Sequence, residues 1–177
     1  LFNSKFKKEL KNHFGNHLFN LIDVTLKTYS DDIKSDLILE NKLMSDYTKL
    51  RSSASIAFDG NEYNLEQMIP FYESKDRNIR KSAQEASSNF WIENEKEFDF
   101  IYDGLVKVRT RIAKKLGFEN FVQLGYYRLN RTDYTCNDVS KYRLQVLNEI
   151  VPIANRLKDR QRKRLGVETL FYYDELL

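Results

Sequence analysis

His13 and His17 are the chain's two histidines. On a helix their i, i+4 spacing puts both imidazoles on one face, an arrangement that can hold zinc. Hydrolysis at such a zinc also needs a glutamate directly after the first histidine, to take the proton from the metal-bound water. Phe14 occupies that position, and Gly15 loosens the turn between the two would-be ligands. The pair is read as two partly exposed histidines, and neither is assigned a metal. Cys136, the single cysteine, has no histidine within several turns, so its thiol lacks the base that a nucleophile needs. No Gly-rich phosphate loop and no Ser/His/Asp arrangement can be assembled from the remaining residues.

Charge supplies two further candidates. Lys107, Arg109, Arg111, Lys114 and Lys115 form one basic run, and Arg156 to Arg164 another. The economical reading is solvated helix faces completed by i, i+4 carboxylates, in the manner of Glu93, Glu95 and Glu97 around Lys96. The functional reading is an acidic or nucleic-acid partner. A formal net charge of +3 over 177 residues is too small and too evenly spread to argue for nucleic acid. The stretch Tyr126-Tyr127-Arg128-Leu129-Asn130-Arg131-Thr132-Asp133-Tyr134 is more unusual. Rings and guanidinium groups alternate there with hydrogen-bonding side chains, after a glycine expected to end a helix. Such a surface can hold a peptide backbone or carboxylate by stacking and forked hydrogen bonds. The same arginines can be tied into carboxylates at a helix junction, and that structural reading stands ahead.

The elements that would position these residues are mostly α, long amphipathic helices with one short β-hairpin near 55–65. Two prolines and six glycines leave little room for the many turns of a β-rich fold. Phe6, Leu10, Phe14, Leu18, Leu21, Ile22 and Leu26 recur at helical spacing over 4–28, with Gly15 weakening the middle. A second helix spans Asp36 to Leu50, with Leu39, Leu43, Tyr47 and Leu50 on one face. Ile56 and Phe58, then Tyr63 and Leu65, alternate about Asp59-Gly60, a hairpin signal because the tight turn needs positive φ. Asn64 or Ser74 is expected to cap the next helices, and Pro70, lying between the two, to interrupt the helical run.

A long helix is expected from about Asp76 to Leu116, ended by Gly117. At 1.5 Å per residue it would reach roughly 60 Å, which implies a kink or a partner surface. Glu119 to Leu124 reads as a short helix stopped by Gly125. Asn130 to Asn137 is a loop, and Asp138 to Leu165 a helix kinked at Pro152 and closed by Gly166. Residues 167–177, with Leu170, Phe171, Tyr172, Tyr173, Leu176 and Leu177, are apolar enough to need cover.

A lone cysteine forms no internal disulfide, which fits a reducing compartment. No window reaches the ~18 apolar residues of a membrane span, and the N-terminal lysines precede no apolar signal core. Asn130-Arg131-Thr132 is a glycosylation acceptor in form alone. The cytoplasm is the expected location. The chain starts at Leu1 and stops at Leu177 without a polar tail at either end, which reads as truncation.

Four stretches, in order, resemble the oligoendopeptidase F family of the thimet-oligopeptidase group. They are Ser53 to Leu65 (SASIAFDGNEYNL), Ser74 to Ala86 (SKDRNIRKSAQEA), Ile101 to Thr132 with YDGLVKVRTRIAKKLGFENFVQLGYYRLNR, and Val151 to Asp174 with VPIANRLKDRQRKRLG and a closing YYD. The stretch ending in GYYRLNR is the most specific. The resemblance covers about Tyr47 to Leu177. It divides the chain into a helical lead-in, 1–50, and a helical segment of a peptidase catalytic region, 51–177, cut before the zinc-binding motif. It implies a cytoplasmic zinc endopeptidase, mostly helical, whose deep channel admits short peptides and excludes folded proteins. The family's zinc ligands, a His-Glu-x-x-His pair and a later glutamate, have no match here. The resemblance therefore places them after Leu177, so this segment is expected to bind no zinc and to be inactive alone. Tyr126, Tyr127, Arg128 and Arg131 are the substrate-channel candidates it leaves, near the contact with the missing catalytic region. The alternative is a non-enzymatic helical protein-interaction module that uses 76–116 or the basic run at 156–164.

Overall fold

The computed structural model describes residues 3–176; Leu1, Phe2 and Leu177, parts of the expected lead-in and apolar terminus, lie outside them. Regular structure among the described residues is helical apart from one two-stranded hairpin, as the low glycine and proline content demands.

Helix α1, Lys7–Leu26, breaks at Gly15, whose φ of 80° and ψ of 168° are not helical. Its two halves therefore present different faces, and the i, i+4 relation of His13 to His17 does not survive the break. A 3₁₀ turn at Asp31–Ile33 leads into α2, Lys34–Ser52. The buried side of this helix runs through Asp36, Glu40 and Leu43, whereas Leu39 and Tyr47 of the expected face are exposed. That face is displaced because two carboxylates, which an apolar pattern passes over, are among its most buried members.

The hairpin pairs β1, Ile56–Phe58, with β2, Asn61–Tyr63, in the register Ile56 to Tyr63 and Phe58 to Asn61. Asp59 at φ 47° and Gly60 at φ 76° form its turn. Positive φ at both central positions matches the right-handed twist of the strands, and glycine accepts it without a Cβ clash. Asn64 pairs reciprocally with Gln67 across a turn, each backbone N–H donating to the other's side-chain carbonyl at 2.9 and 2.8 Å. It caps no helix, since the next one has Met68 at its N-cap and no side-chain cap. Helix α3, Ile69–Tyr72, comes next.

Asp76, not Ser74, caps α4, Arg77–Glu93, by accepting from the Asn78 N–H at 2.8 Å. The single helix expected over 76–116 is two, because Asn94 interrupts it before α5, Glu95–Lys115. The Asn94 side chain donates to the Phe90 carbonyl at 2.8 Å, competing with the backbone in the way that makes asparagine a helix breaker. Gly117, at φ 83°, ends α5 as expected, and the Phe118 N–H closes back on the Ala113 carbonyl at 2.9 Å.

Helix α6 runs Phe121–Arg128, so Gly125 lies inside it rather than ending it. Helix α7, Cys136–Gln145, passes through a π turn at Val146–Ile150 into α8, Val151–Leu165. The kink expected at Pro152 is this wide turn. Proline cannot donate to the carbonyl four residues back and its ring crowds that carbonyl, so the ladder widens just before it.

The chain forms two compact units, one from the residues up to Lys42 with Gly104–Arg143, the other from Leu43–Asp103 with Leu144 onwards. In the first, Phe19, Val24, Ile33, Val108, Ile112, Ala113 and Leu124 are buried. In the second, Ala54, Ile56, Met68, Ala83 and Phe90 form the core, with Phe58, Tyr63, Phe71 and Phe98 packed at its edge. The hairpin thus presents Ile56 inward and seals the core against α4. Met68 is fully buried there. Met68→Ala should lower stability by about 2–5 kcal/mol, read as a shift in the urea midpoint with an unchanged slope.

Candidate functional site

The aromatic and arginine stretch sits on α6 and the turn after it. Asn120 starts the helix, its side chain accepting from the Val122 N–H at 2.9 Å. Asn130, at φ 55°, stops it, taking the left-handed position usually given to glycine, while the Arg131 N–H closes on the Tyr126 carbonyl at 3.1 Å. Tyr126, Tyr127 and Arg128 are therefore helical residues and Arg131 lies just beyond the cap.

These four candidates divide into two groups. Arg128 donates from Nη1 to both oxygens of Glu40, at 3.0 and 2.9 Å. Glu40 Oε1 also accepts from Arg109 Nε at 2.7 Å. Both guanidinium groups lie 5.6 Å from the centroid of the Phe121 ring, which covers one side of the cluster. Tyr127 meets Phe118 edge-on at 5.7 Å and carries the Lys27 ammonium at 5.4 Å. Arg131 instead stacks over Tyr126 at 4.6 Å and Tyr134 at 5.7 Å, a half-exposed cation between two rings.

One turn before Glu40 on α2, Asp36 makes a second cluster. Arg111 Nε donates to its Oδ1 at 2.7 Å, and Lys115 Nζ lies 2.8 Å from Oδ2. The lysine and then the arginine hold this buried carboxyl below the ordinary value of 3.8. Three cations of the basic run at 107–115 therefore pair beyond their own helix. Arg109, Arg111 and Lys115 reach across to two carboxylates on α2. The sequence holds a trace of this, acids at 36 and 40 with Leu43 next on the same face, but nothing in it says which basic residues answer them.

The other unit is clamped by a single carboxylate. Asp174, wholly buried in a 3₁₀ turn at Tyr172–Asp174, accepts from Arg77 Nε at 3.0 Å and Nη2 at 2.8 Å, and from Arg80 Nη2 at 2.7 Å. The Phe171 N–H adds a fourth donor at 3.1 Å. Arg80 spends its other nitrogens on the carbonyls of Tyr173, Ser74 and Lys75 at 2.9, 2.9 and 3.2 Å. Arg77 also lies 5.7 Å from the Phe171 ring and 5.3 Å from that of Tyr173. The Arg77 guanidinium above all, and then Arg80, hold the Asp174 carboxyl far below its ordinary range.

In the second basic run, Arg162 and Lys163 meet Asp159 at 2.9 and 2.7 Å, which is the helix-surface pairing expected of it. Cys136 is exposed. His13 and His17 are exposed on either side of the Gly15 break. Among the described residues no three His, Cys, Asp or Glu side chains are grouped so as to hold a metal, and no helix is long and apolar enough to cross a membrane.

No family model and no curated protein matches the chain. Solved structures do. A candidate oligoendopeptidase F from Bacillus anthracis is 55% identical over 100% of this chain and 32% of its own, with a TM-score of 0.94. PZ peptidase A, solved with an inhibitor, is 58% identical over 99% and 31%, with a TM-score of 0.95. A further candidate oligoendopeptidase F is 53% identical over 100% and 31%, with a TM-score of 0.97. Over its whole length the chain matches the oligoendopeptidase F family. It spans about a third of the length of the family structures it matches. The clusters around Asp36, Glu40 and Asp174 all fall within the matched region.

Acid should act on this segment through Asp36 and Asp174, the two buried carboxyls held low. A carboxyl held low in the folded state stabilises it at every pH above the unfolded value, and that contribution fades as pH falls toward the folded one. Asp174→Asn should cost about 3–5 kcal/mol at pH 7, because it leaves the buried Arg80 uncompensated. The gap between native and variant unfolding midpoints should narrow from pH 5 to pH 2. A gap that stays constant would mean that Asp174 is not held low.

Proposed function

We propose that this chain is the scaffold and part of the channel wall of a cytoplasmic, zinc-dependent oligoendopeptidase that hydrolyses short peptides. The observation that carries the reading is identity of 53–58% to oligoendopeptidase F structures over at least 99% of this chain. Zinc chemistry is assigned to residues outside the chain. The residues present do not fit a zinc site, since the two histidines are separated by a helix break and, among the described residues, no three His, Cys, Asp or Glu side chains are grouped. Asp36, Glu40 and Asp174 are each already committed to basic side chains.

Within this reading the segment's contribution is rigidity. A channel that admits an extended peptide must keep its walls at fixed positions, because small displacements of substrate-positioning groups are costly in rate. Buried charge pairs give fixed geometry, since each has few alternative partners. Arg128 acts as a positioning residue through Glu40. Arg131, with Tyr126 and Tyr134, is the surface that would meet peptide, and the proposed contact is guanidinium to a backbone carbonyl or terminal carboxylate.

Two measurements on the full-length protein test this. Internally quenched short peptides should be cleaved, with activity lost to a strong zinc chelator and restored by added zinc, while the 177-residue chain alone should cleave none. Undiminished cleavage in the stripped protein would overturn the zinc assignment. Arg131→Ala should raise peptide KM several-fold with little change in Tm, whereas Arg128→Ala should lower Tm. If neither variant alters KM or Tm, the stretch is not part of the channel or its support.

A further inference from the structure

Leu144, Leu147, Ile150, Val151, Ile153 and Leu157 follow one another at roughly helical spacing from the end of α7, through the π turn, into α8. All six are between 38% and 58% exposed. No residue of α8 or of the π turn is buried. A fifteen-residue helix gains little from propensity alone and takes its stability from burying an apolar face. This face has the residues for burial but lacks the cover.

Charge narrows what the cover is. Helix α8 carries six basic residues and one acid. Asp159 answers Arg162 and Lys163, and Glu175 answers Lys158. Arg156 and Arg160 leave positive charge beside the apolar stripe, which complements carboxylates. The amount of missing chain supplies the occupant. This chain represents only 31–32% of the structures it matches, so roughly two thirds of a homologous polypeptide lies outside it.

We infer that the stripe from Leu144 to Leu157 is an intramolecular docking surface for the rest of the same polypeptide, which meets it with an apolar strip edged by Asp or Glu side chains. The inference rests on the family match and not on peptide cleavage. A failed cleavage assay would leave it standing.

The test uses the full-length protein with Cys136→Ser, carrying Leu147→Cys, Ile153→Cys or Leu157→Cys singly. Maleimide labelling of the peptide that contains each site is timed by mass spectrometry, in native buffer and in urea, after cooperative melting of each variant has been confirmed. Protection in native buffer of at least ten-fold, independent of protein concentration, is the expected result. Native labelling as fast as in urea would overturn the inference. Protection that disappears on dilution would overturn it too, by assigning the face to a second copy.

Discussion

A carboxylate removed from water must recover every hydrogen bond it gives up, and Asp174 shows how strongly that condition shapes this chain. Four N–H groups converge on it, from Arg77, Arg80 and the Phe171 backbone. Arg80, just as buried, must in turn satisfy its own donors, and it does so on the carbonyls of Tyr173, Ser74 and Lys75. The start of α4, the loop before it and the aromatic terminus are thereby fixed together, though about ninety residues of chain separate them. An apolar contact of similar area would tolerate sliding; this one does not, because a displaced guanidinium leaves buried charge unpaired.

Ion pairing to the buried acids Asp36 and Glu40 likewise explains α2, α5 and α6 in the other unit. Two acids one turn apart sit on the buried side of α2, and each is met by two cations. Arg109 and Arg128 come from different helices to one glutamate, so Glu40 ties both α5 and α6 to α2, and Asp36 adds a second tie to α5. The apolar neighbours, Val108, Ile112 and Leu124 among them, supply burial energy. The ion clusters choose the arrangement in which that burial occurs. For a segment matched to a peptidase this division is useful. The ion clusters fix the helices, and the half-exposed Arg131 between Tyr126 and Tyr134 takes no part in them.

Legibility in the sequence followed the range of the forces involved. Asp59-Gly60 announced its turn because positive φ is a local steric demand, met by two residues without help from elsewhere. Gly117 and Gly166 announced helix ends for the same reason. Gly125 misled, since a glycine inside a helix is only a modest cost, and Asn130 took the left-handed position instead. Asn94 gave no clear signal against the strong apolar period on both sides of it. The face of α2 was misplaced because its buried positions include acids, and hydrophobic periodicity counts acids as surface.

By itself, the sequence determined the helical class, the single hairpin and its turn, most helix ends, and the family resemblance, since each depends on local backbone preference or on matching residues in order. Tertiary structure alone decided which cations meet Asp36, Glu40 and Asp174. It also decided that Arg128 is bound to Glu40 while Arg131 stacks on rings, and that the stripe through α8 is left uncovered. Those outcomes depend on partners dozens of residues away, and a buried charge can be answered by any basic residue that the fold brings within about 3 Å. Spacing along the chain carries no record of that choice.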